Sequence, residues 1–420
     1  MAVTVREIIA LIILVFTYAL ISFNRSGRNR IDLPAAALAG GMLMLLTGVV
    51  SPAQAIAGIS WSTILLILGM MLIVSSMEAV GFFRWISSKV VRTSRPSYLL
   101  ILVCCTTALL SALILNDAVV LIFTPVIIMA ARRMGISAVP YLVMEAISSN
   151  IGSAATEVGN PQNAYIANIS GVPFHTFTAL ALAPTLLALT AAILIAFFIG
   201  RKHLRLGIHR SAASASDDVA VKRGPLIFMT VLVSAVFAGF YTSYLTHFPI
   251  YAIALIGGVA SLVSVPFISD RSNQDILQKV DWGILMFFIG LFVLISGVES
   301  SGLLSSILLS FQSLSGGAVD TVGGMTVLSA LLSNMTSNVP AVLLLAPVVL
   351  HHPSTGLWLT LALSSTFAGN ATIIGAAANV IVVRTASREG VRITLPEFVK
   401  YGIPITAVSL VLTVLLLSPV

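Results

Sequence analysis

Charged side chains are scarce in this chain, and their scarcity excludes a soluble globular domain. Asp, Glu, Lys and Arg make up 9% of the 420 residues, whereas 58% are hydrophobic. Soluble domains carry about 25% charged residues, and a chain of this length cannot bury so much apolar surface in one core. Apolar runs of roughly 20 residues, the length that crosses a bilayer as a helix, recur along the sequence. The composition therefore predicts an all-α polytopic membrane protein.

Catalytic and metal-binding patterns are also missing. The two cysteines, Cys104 and Cys105, are adjacent within an apolar run, which argues against a disulfide framework or a structural zinc site. No His-Glu-x-x-His motif occurs, and Asp117 has no Asp partner at helical spacing, so an intramembrane hydrolase is not expected. The adjacent His351 and His352 supply too few ligands for a metal. We therefore expect no enzyme activity, no cofactor and no metal.

The basic residues indicate how the chain is placed in the membrane. A net charge of +7 could suggest nucleic-acid binding, but the Lys and Arg residues lie in the loops between apolar runs. Cytoplasmic loops are enriched in these residues. Placing both termini outside puts 21 of the 22 Lys and Arg residues inside, with only Arg6 outside. We therefore predict a multi-pass protein of the plasma membrane, the inner membrane in a bacterium, which contacts the lipid bilayer and binds no nucleic acid.

Ten spans and two hairpins account for the apolar regions. Regions 98–131 and 320–350 are each interrupted by a polar tip, Asn116-Asp117 and Thr336-Ser337-Asn338. Because each leg has only ~15–18 residues, both regions are predicted to be re-entrant helical hairpins, with two full crossings per region as the alternative. The predicted spans are residues 6–23, 31–50, 60–80, 138–170, 176–200, 225–245, 250–268, 281–298, 355–384 and 396–418.

The chain consists of two repeats, residues 1–200 and 225–420, joined by a polar linker at 201–224 that is predicted to be cytoplasmic. Each half holds five spans and one hairpin. Since five is odd, the second half has to run through the membrane in the opposite direction. Such an inverted-topology repeat indicates a secondary transporter rather than a passive channel. The matched pairs, at offsets of 221, 222 and 216, are Trp61 with Trp282, Gly69 with Gly290, Glu78 with Glu299, Gly81 with Gly302, Asn116 with Asn338, Pro125 with Pro347, Thr156 with Thr372, Gly159 with Gly375 and Asn163 with Asn379.

A polar stretch within an apolar region, residues 149–163, marks the predicted binding site. Its Gly159-Asn160-Pro161 sequence breaks the helical hydrogen-bond ladder, and such a break survives in a membrane only where protein or water lines it. The second half has a matching break at 371–379, and we expect both breaks and both hairpin tips to meet near the bilayer midplane. The candidate substrate- and ion-binding residues are Asn116, Asp117, Thr156, Glu157, Gly159, Asn160, Asn163, Ser337, Asn338, Asn370, Thr372, Gly375 and Asn379.

Three carboxylic acids fall within apolar stretches, where a charged side chain costs about 2.5–3.5 kcal/mol. Asp117, on the first tip, is predicted to bind the coupling ion, H⁺ or Na⁺, with a hairpin cap as the alternative role. Glu157 lies within the first break, has no acidic counterpart in the second and is also predicted to act in transport. Glu145 is expected to make a structural hydrogen bond to a neighbour. No Lys or Arg lies in either tip or either break, which favours a cation or a neutral polar solute.

These motifs resemble the ion transporter superfamily, which holds arsenite permeases, NhaD-type Na⁺/H⁺ antiporters, the melanosomal P protein, and citrate and dicarboxylate carriers. The stretch from Asn116 to Pro125, an Asn-Asp tip followed by Thr-Pro, is most similar to the arsenite permeases, and residues 159–163 resemble a motif of their anion-permease relatives. The carboxylate carriers use paired Ser-Asn-Thr tips, and neither tip here keeps that triplet. The resemblance implies a scaffold that forms a homodimer and a transport subdomain that moves as an elevator.

We therefore predict a secondary transporter that works by alternating access, and we expect it to extrude arsenite or antimonite against protons. Trivalent arsenic is an uncharged hydroxide at neutral pH, which suits a site of Asn, Thr and backbone groups. A Na⁺/H⁺ antiporter is the first alternative, and a Na⁺-coupled di- or tricarboxylate or sulfate carrier is the second. The expected partner is thus a small inorganic or organic ion, together with an ATPase subunit if the protein is of the arsenite type.

Overall fold

Every regular element in the described residues is helical, which confirms the predicted all-α fold. The computed structural model describes residues 4–25, 32–91, 95–204, 222–306 and 320–419. The helices are α1 (Val5–Arg25), α2 (Leu33–Leu46), α3 (Pro52–Gly58), α4 (Trp61–Ala79), α5 (Phe82–Val91), α6 (Pro96–Leu113), α7 (Asn116–Met134), α8 (Val139–Ser153), α9 (Pro161–Ser170), α10 (Phe174–Leu204), α11 (Arg223–Thr246), α12 (Ile250–Ile268), α13 (Asn273–Leu277), α14 (Trp282–Ser300), α15 (Val322–Thr336), α16 (Asn338–His351), α17 (Thr355–Ala368), α18 (Ala377–Arg388) and α19 (Leu395–Leu417), with a 3-10 turn at Ile373–Gly375.

Eight of these helices are long and apolar enough to cross a membrane, namely α1, α4, α6, α10, α11, α12, α14 and α19. All but one coincide with predicted spans, and the exception, α6, is the first leg of the hairpin predicted at 98–131. Many of their large apolar side chains are exposed, as expected for helices that face lipid. The chain is therefore a polytopic integral membrane protein.

The span predicted at 31–50 contains one helix, α2, which is shorter than predicted. Helix α2 ends at Leu46, and Gly48 follows in the left-handed region with φ +68°. Ser51 then caps a new helix, α3, because its hydroxyl accepts from the Gln54 backbone N–H at 3.3 Å while the Gln54 side chain accepts from the Ser51 N–H at 3.0 Å. The chain therefore turns at the end of the predicted span.

Both hairpins bend at the polar tips predicted from the sequence. Two residues separate the end of α6 from Asn116, which begins α7, and Ser337 alone separates α15 from α16. Ser337 has φ +97°, so the second tip is the tighter of the two turns. The legs have 18 and 19 residues in the first hairpin and 15 and 14 in the second. These lengths are close to the expected ones, and the re-entrant placement of both hairpins stays a prediction.

The two predicted helix breaks are confirmed. The region 138–170 divides into α8, which ends at Ser153, and α9, which starts at Pro161. The region 355–384 divides into α17 and α18, with residues 369–376 between them. In the first break Asn160 caps α9, since its side-chain oxygen accepts from the Asn163 N–H at 2.8 Å. Unwound backbone therefore lies within each half of the chain, where a binding site can use it.

Two pairs of crossed helices interlock the halves. Helix α4 of the first half packs against α12 of the second, and α14 of the second packs against α2 of the first. A Cβ added to Gly69 would lie 2.4 Å from the carbonyl carbon of Ala254, and one added to Gly290 would lie 2.5 Å from that of Ala37. The two glycines match at the repeat offset of 221, so the same close backbone approach occurs twice. Small residues permit such contacts between membrane helices.

The predicted linker at 201–224 is shorter at both ends than its composition suggested. Residues 201–204 continue α10, and Arg223 and Gly224 begin α11. The remainder, residues 205–221, lies outside the described residues.

Replacing Gly69 or Gly290 by alanine is expected to destabilise the protein, because the added methyl group would meet backbone that cannot rotate away. Overpacking of this kind costs about 1–3 kcal/mol. Thermal unfolding in detergent, followed by fluorescence-detected size exclusion, measures the loss. Gly224→Ala is the control, since nothing lies within 4 Å of its Cβ position. Equal melting temperatures for all three variants would contradict the packing argument.

Candidate substrate-binding site

An asparagine from the helix that follows closes each break. Asn163 Nδ2 donates to the carbonyl of Thr156 at 2.9 Å, and Asn379 Nδ2 donates to the carbonyl of Thr372 at the same distance. Asn379 also donates to the Gly369 carbonyl at 2.7 Å. The two asparagines thus satisfy carbonyls that the missing helical turns leave free. Their shared geometry explains why Asn, with an amide donor, recurs at both positions.

Gly159 and Gly375 let each break fold tightly on itself. A Cβ on Gly159 would lie 2.3 Å from the Ser153 carbonyl oxygen, and one on Gly375 would lie 2.5 Å from the Gly369 oxygen. Real Cβ atoms do not approach so closely, so each position requires glycine. The repeat therefore preserves the shape of the break as well as its residues.

The two hairpin tips bind to these same glycines. The backbone N–H of Asn116 donates to the Gly159 carbonyl at 3.0 Å. In the second half the amide of Asn338, oriented by its neighbours, donates through Nδ2 to the carbonyls of Gly375 and Ser365, each at 3.1 Å. The tip and the break of each half therefore form one unit, as the sequence predicted.

Asn150, near the end of α8, connects the two units. Its Oδ1 accepts from Asn116 Nδ2 at 3.2 Å, and its Nδ2 donates to the side-chain oxygens of Asn370 and Asn379, both at 2.9 Å. One fully buried amide thus joins the first tip to the second break. Asn150 lies within the polar stretch 149–163 that was predicted to mark the site, but it was not among the candidate residues. Its position one turn before the break was the available signal.

Gln162 makes the reciprocal connection. Its Nε2 donates to Thr366 Oγ1 at 3.2 Å and to the Asn338 side-chain oxygen at 3.3 Å. Gln162 begins α9 in the first half, whereas Thr366 and Asn338 belong to the second. The site is therefore held by side chains that cross between the repeats in both directions. Gln162 was also missed, because no local pattern shows what lies opposite it.

A cavity of about 450 Å³ lies beside this network. The starts of six helices line it: α2, α7, α9, α14, α16 and α18. Each helix start carries a partial positive charge and unsatisfied N–H groups, which attract oxygen-rich ligands. The lining residues include Leu33, Asn116, Asp117, Pro161, Gln162, Gly283, Phe287, Ser337, Asn338, Ala376, Ala377 and Ile381.

Four charged residues line the cavity. Asp32, Asp117 and Asp281 each lie at the start of a helix, so they offset the helix dipoles there. The fourth is Arg384, two turns into α18. The sequence shows that neither tip and neither break contains Lys or Arg, and this is correct. It did not show that Arg384 lines the cavity beside the tips. The site therefore offers a guanidinium group to a ligand as well as three carboxylates.

The predicted site residues fall into two groups. Asn116, Asp117, Ser337 and Asn338 line the cavity. The remaining predicted residues lie outside its lining, in the two breaks or, for Asn163 and Asn379, in the helix that follows. Glu157 is among them and is almost wholly buried. Several buried polar atoms of the set have no hydrogen-bond partner within the described residues. They are Asn116 Oδ1, Glu157 Oε1, Asn163 Oδ1, Asn370 Nδ2 and Thr372 Oγ1.

Comparison with known proteins assigns the chain to a family. Residues 18–368 match the family described as CitMHS, citrate transporter. The chain belongs to the CitMHS family. It is thus a transporter of the ion transporter superfamily that the tip and break motifs indicated.

Its similarity to single proteins covers nearly the whole chain. An uncharacterized transporter of Mycobacterium tuberculosis is 34% identical over 97% of both chains. The silicon efflux transporter LSI3 of Oryza sativa is 29% identical over 89% of this chain and 90% of its own length. Among solved structures, the Alcanivorax borkumensis YdaH transporter aligns with a TM-score of 0.63 at 16% identity, covering 87% of this chain and 86% of that one. The structural similarity to YdaH shows that this CitMHS member has the same fold as that transporter.

Asn379→Ala and Asn163→Ala are each expected to raise the KM of the transported substrate about tenfold, which corresponds to roughly 1.4 kcal/mol. Each change leaves carbonyls of a break without their donor and alters the shape of the site. Uptake into proteoliposomes measures KM. Thr190→Ala serves as the control, because Thr190 lies exposed on α10 and donates only within its own helix at 2.8 Å. An unchanged KM in both asparagine variants would show that the substrate binds elsewhere in the protein.

Proposed function

We propose that this CitMHS transporter exports arsenite or antimonite in exchange for protons, by alternating access. Membership of the family makes it a secondary transporter. The observation that carries the finer proposal is the cavity itself, which is built by the hairpin tips of both repeats and by the helix starts that follow both breaks. Its amide and hydroxyl groups at Asn116, Gln162, Ser337 and Asn338 suit a small polar solute.

The chemistry of the lining supports an uncharged, oxygen-rich substrate. The six helix starts offer N–H groups to hydroxyl oxygens, and the amides donate and accept. The three carboxylates at the cavity disfavour a multiply charged anion unless cations accompany it. One relative is named for the efflux of silicon, an element that also forms an uncharged hydroxide in water. Arsenite and antimonite share that chemistry.

Two alternatives have specific support. Arg384 and the helix starts favour a carboxylate such as citrate, the substrate in the description of the family. Asp32, Asp117 and Asp281 favour Na⁺/H⁺ exchange, because carboxylate oxygens bind Na⁺ and protons in turn. The three proposed substrates require Arg384 and Asp117 to different extents, so variants of these two residues distinguish the substrates by experiment.

The repeat supports alternating access through one contact that lies outside the cavity lining. Asn168 Nδ2 donates to Thr63 Oγ1 at 3.4 Å, which joins α9 to α4. At the repeat offsets of 216 and 221, Asn168 corresponds to Arg384 and Thr63 to Ile284. Arg384 and Ile284 both line the cavity. We infer that the cavity of the structure described is open beside Arg384 and closed beside Asn168. If the Ile284–Arg384 pair closed and the Thr63–Asn168 pair separated, the site would open to the opposite side of the membrane.

The charge pattern supports the direction of this opening. Asp32, Asp281 and Arg384 lie at helix ends that the distribution of Lys and Arg assigns to the cytoplasm. On that reading the cavity faces the cytoplasm and both chain termini lie outside. A cytoplasm-facing cavity is where an exporter loads its substrate. The transport subdomain is then expected to move against a scaffold that forms a homodimer.

Transport assays on two cavity variants test the proposed substrate. Everted membrane vesicles from cells that lack their own exporters should take up arsenite when a proton gradient is imposed. Asp117→Asn should abolish gradient-driven uptake, whereas Arg384→Gln should change arsenite uptake less than threefold, since an uncharged hydroxide needs no guanidinium. Citrate transport that Arg384→Gln abolishes would overturn the arsenite proposal in favour of the carboxylate one. Full coupled activity in Asp117→Asn would remove that residue from ion coupling.

Cysteine cross-linking tests the exchange of the two arrangements. In a background carrying Cys104→Ala and Cys105→Ala, the pair Thr63→Cys with Asn168→Cys should form a disulfide or accept a short thiol cross-linker, because the native side chains touch. Cross-linking should stop transport, and reduction should restore it. The mirror pair Ile284→Cys with Arg384→Cys should cross-link only as the cavity closes. Failure of the mirror pair to react in a variant that still transports would contradict alternating access by repeat exchange.

A further inference from the structure

Besides Glu157, a second carboxylic acid, Glu145, is buried in the protein outside the cavity lining. Glu145 is wholly buried in α8, and it is not among the residues that line the cavity. Its Oε2 lies 3.0 Å from the hydroxyl of Thr124 on α7. Its Oε1 has no hydrogen-bond partner in the described part of the chain. The predicted bond to a neighbour is therefore present, but it satisfies only half of the carboxyl group.

The helices packed against α8 carry charged side chains, but none of those described pairs with Glu145. The titratable and charged side chains on these helices include Cys104 on α6, Asp117, Arg132 and Arg133 on α7, His175 on α10, Arg384 and Arg388 on α18, and Glu397, Lys400 and Tyr401 on α19. No charged group of the described residues forms a hydrogen bond or ion pair with Glu145, and Arg132 instead pairs with Glu389 at 3.6 Å. An ionised carboxylate buried without a partner costs several kcal/mol, so this environment favours the neutral acid.

Counting hydrogen atoms gives the same result independently. The Thr124 hydroxyl has one hydrogen but two oxygen neighbours, the Val120 carbonyl at 2.7 Å and Glu145 Oε2 at 3.0 Å. A carbonyl oxygen and an ionised carboxylate oxygen can both only accept, so the single threonine hydrogen cannot satisfy both contacts of an ionised Glu145. If Glu145 is protonated, the threonine hydrogen can go to the Val120 carbonyl while the carboxyl group donates its own proton to Thr124. Both contacts are satisfied together when Glu145 is protonated.

The position of Glu145 connects it to the first hairpin tip. Thr124 lies on α7, the leg that begins at Asn116. One helical turn along α8 from Glu145, the Ser149 hydroxyl lies 3.0 Å from that of Ser111 and donates to the Asn116 carbonyl at 3.3 Å. A shift of the tip relative to α8 would therefore also separate Thr124 from Glu145. The acid would lose its acceptor when the tip moves.

We propose that Glu145 is a proton-binding site of the transport module, separate from the substrate cavity. In the conformation described, the carboxyl group holds one proton and donates it to Thr124. Movement of the first tip breaks that bond, and the proton passes to water, leaving a carboxylate. Uptake of one proton reverses the step, and no other reactant is needed. That this proton drives substrate export rests on the function proposed above, whereas the protonated state does not.

Infrared spectroscopy of the purified full-length protein in nanodiscs at neutral pH tests the protonated state. The wild type should show the carbonyl stretch of a carboxylic acid, and Glu145→Gln should lack that component. Thr124→Val should shift the band upward in frequency without removing it, since the acid loses its acceptor, while Thr124→Ser should leave it in place. These threonine variants give the answer even if Glu145→Gln does not fold.

Glu157→Gln is the matched control for a buried acid elsewhere and should leave the Glu145 component intact. Unchanged spectra in Glu145→Gln and Thr124→Val would overturn the proposal.

Transport measurements then test the role of the proton. Glu145→Gln, which mimics the protonated acid, should reduce proton-driven uptake by at least tenfold and abolish its dependence on pH, while leaving substrate binding within threefold of the wild type. A Glu145→Gln protein that still couples uptake to the gradient would overturn the coupling role. If the infrared component is present but arsenite is not transported, the proposed substrate is wrong and the proton site stands.

Discussion

Unwound backbone in an apolar environment is the constraint on which this structure depends. Two helices are interrupted inside the protein, and each interruption frees carbonyl and N–H groups that no lipid can satisfy. An unsatisfied buried group of this kind costs roughly 1–3 kcal/mol. Amide side chains meet part of that demand: Asn163 and Asn379 from the helix that follows each break, and Asn338 from the tip of the same half. Hydrogen bonds that stabilise the fold thus also shape the site.

Local sequence signals predicted the parts of the site, and long-range contacts assembled them in ways that the sequence does not show. The Gly159-Asn160-Pro161 motif and the two polar tips act within a few residues, so they could be recognised directly. Asn150, Gln162 and Arg384 act across the two repeats, and their partners are more than 200 residues away or on another wall of the cavity. The end of α2 was a different kind of error. The predicted span ran to residue 50, although the left-handed Gly48 follows a helix that already ends at Leu46.

The two repeats share a backbone plan but differ in chemistry. The breaks, tips and crossed helices match at nearly constant offsets, and the same carbonyls receive the same kinds of donor. The side chains at equivalent positions differ: Arg384 corresponds to Asn168, and Ile373 corresponds to Glu157. Backbone symmetry lets two arrangements of similar energy exist, and side-chain asymmetry gives each of them its own charge. A directional transporter needs both properties.

The crossed helix pairs also govern how the protein can be made. Gly69 on α4 has no surface to pack against until α12 of the second half has been synthesised, and α2 must likewise wait for α14. Early in biogenesis the first half therefore enters the membrane with its closest-packing faces covered only by lipid or by the insertion machinery. Neither half buries its own glycine contact alone, so separately expressed halves should be stable only when both are present. These contacts of the transporter can thus form only after α12 and α14 of the second half have been synthesised.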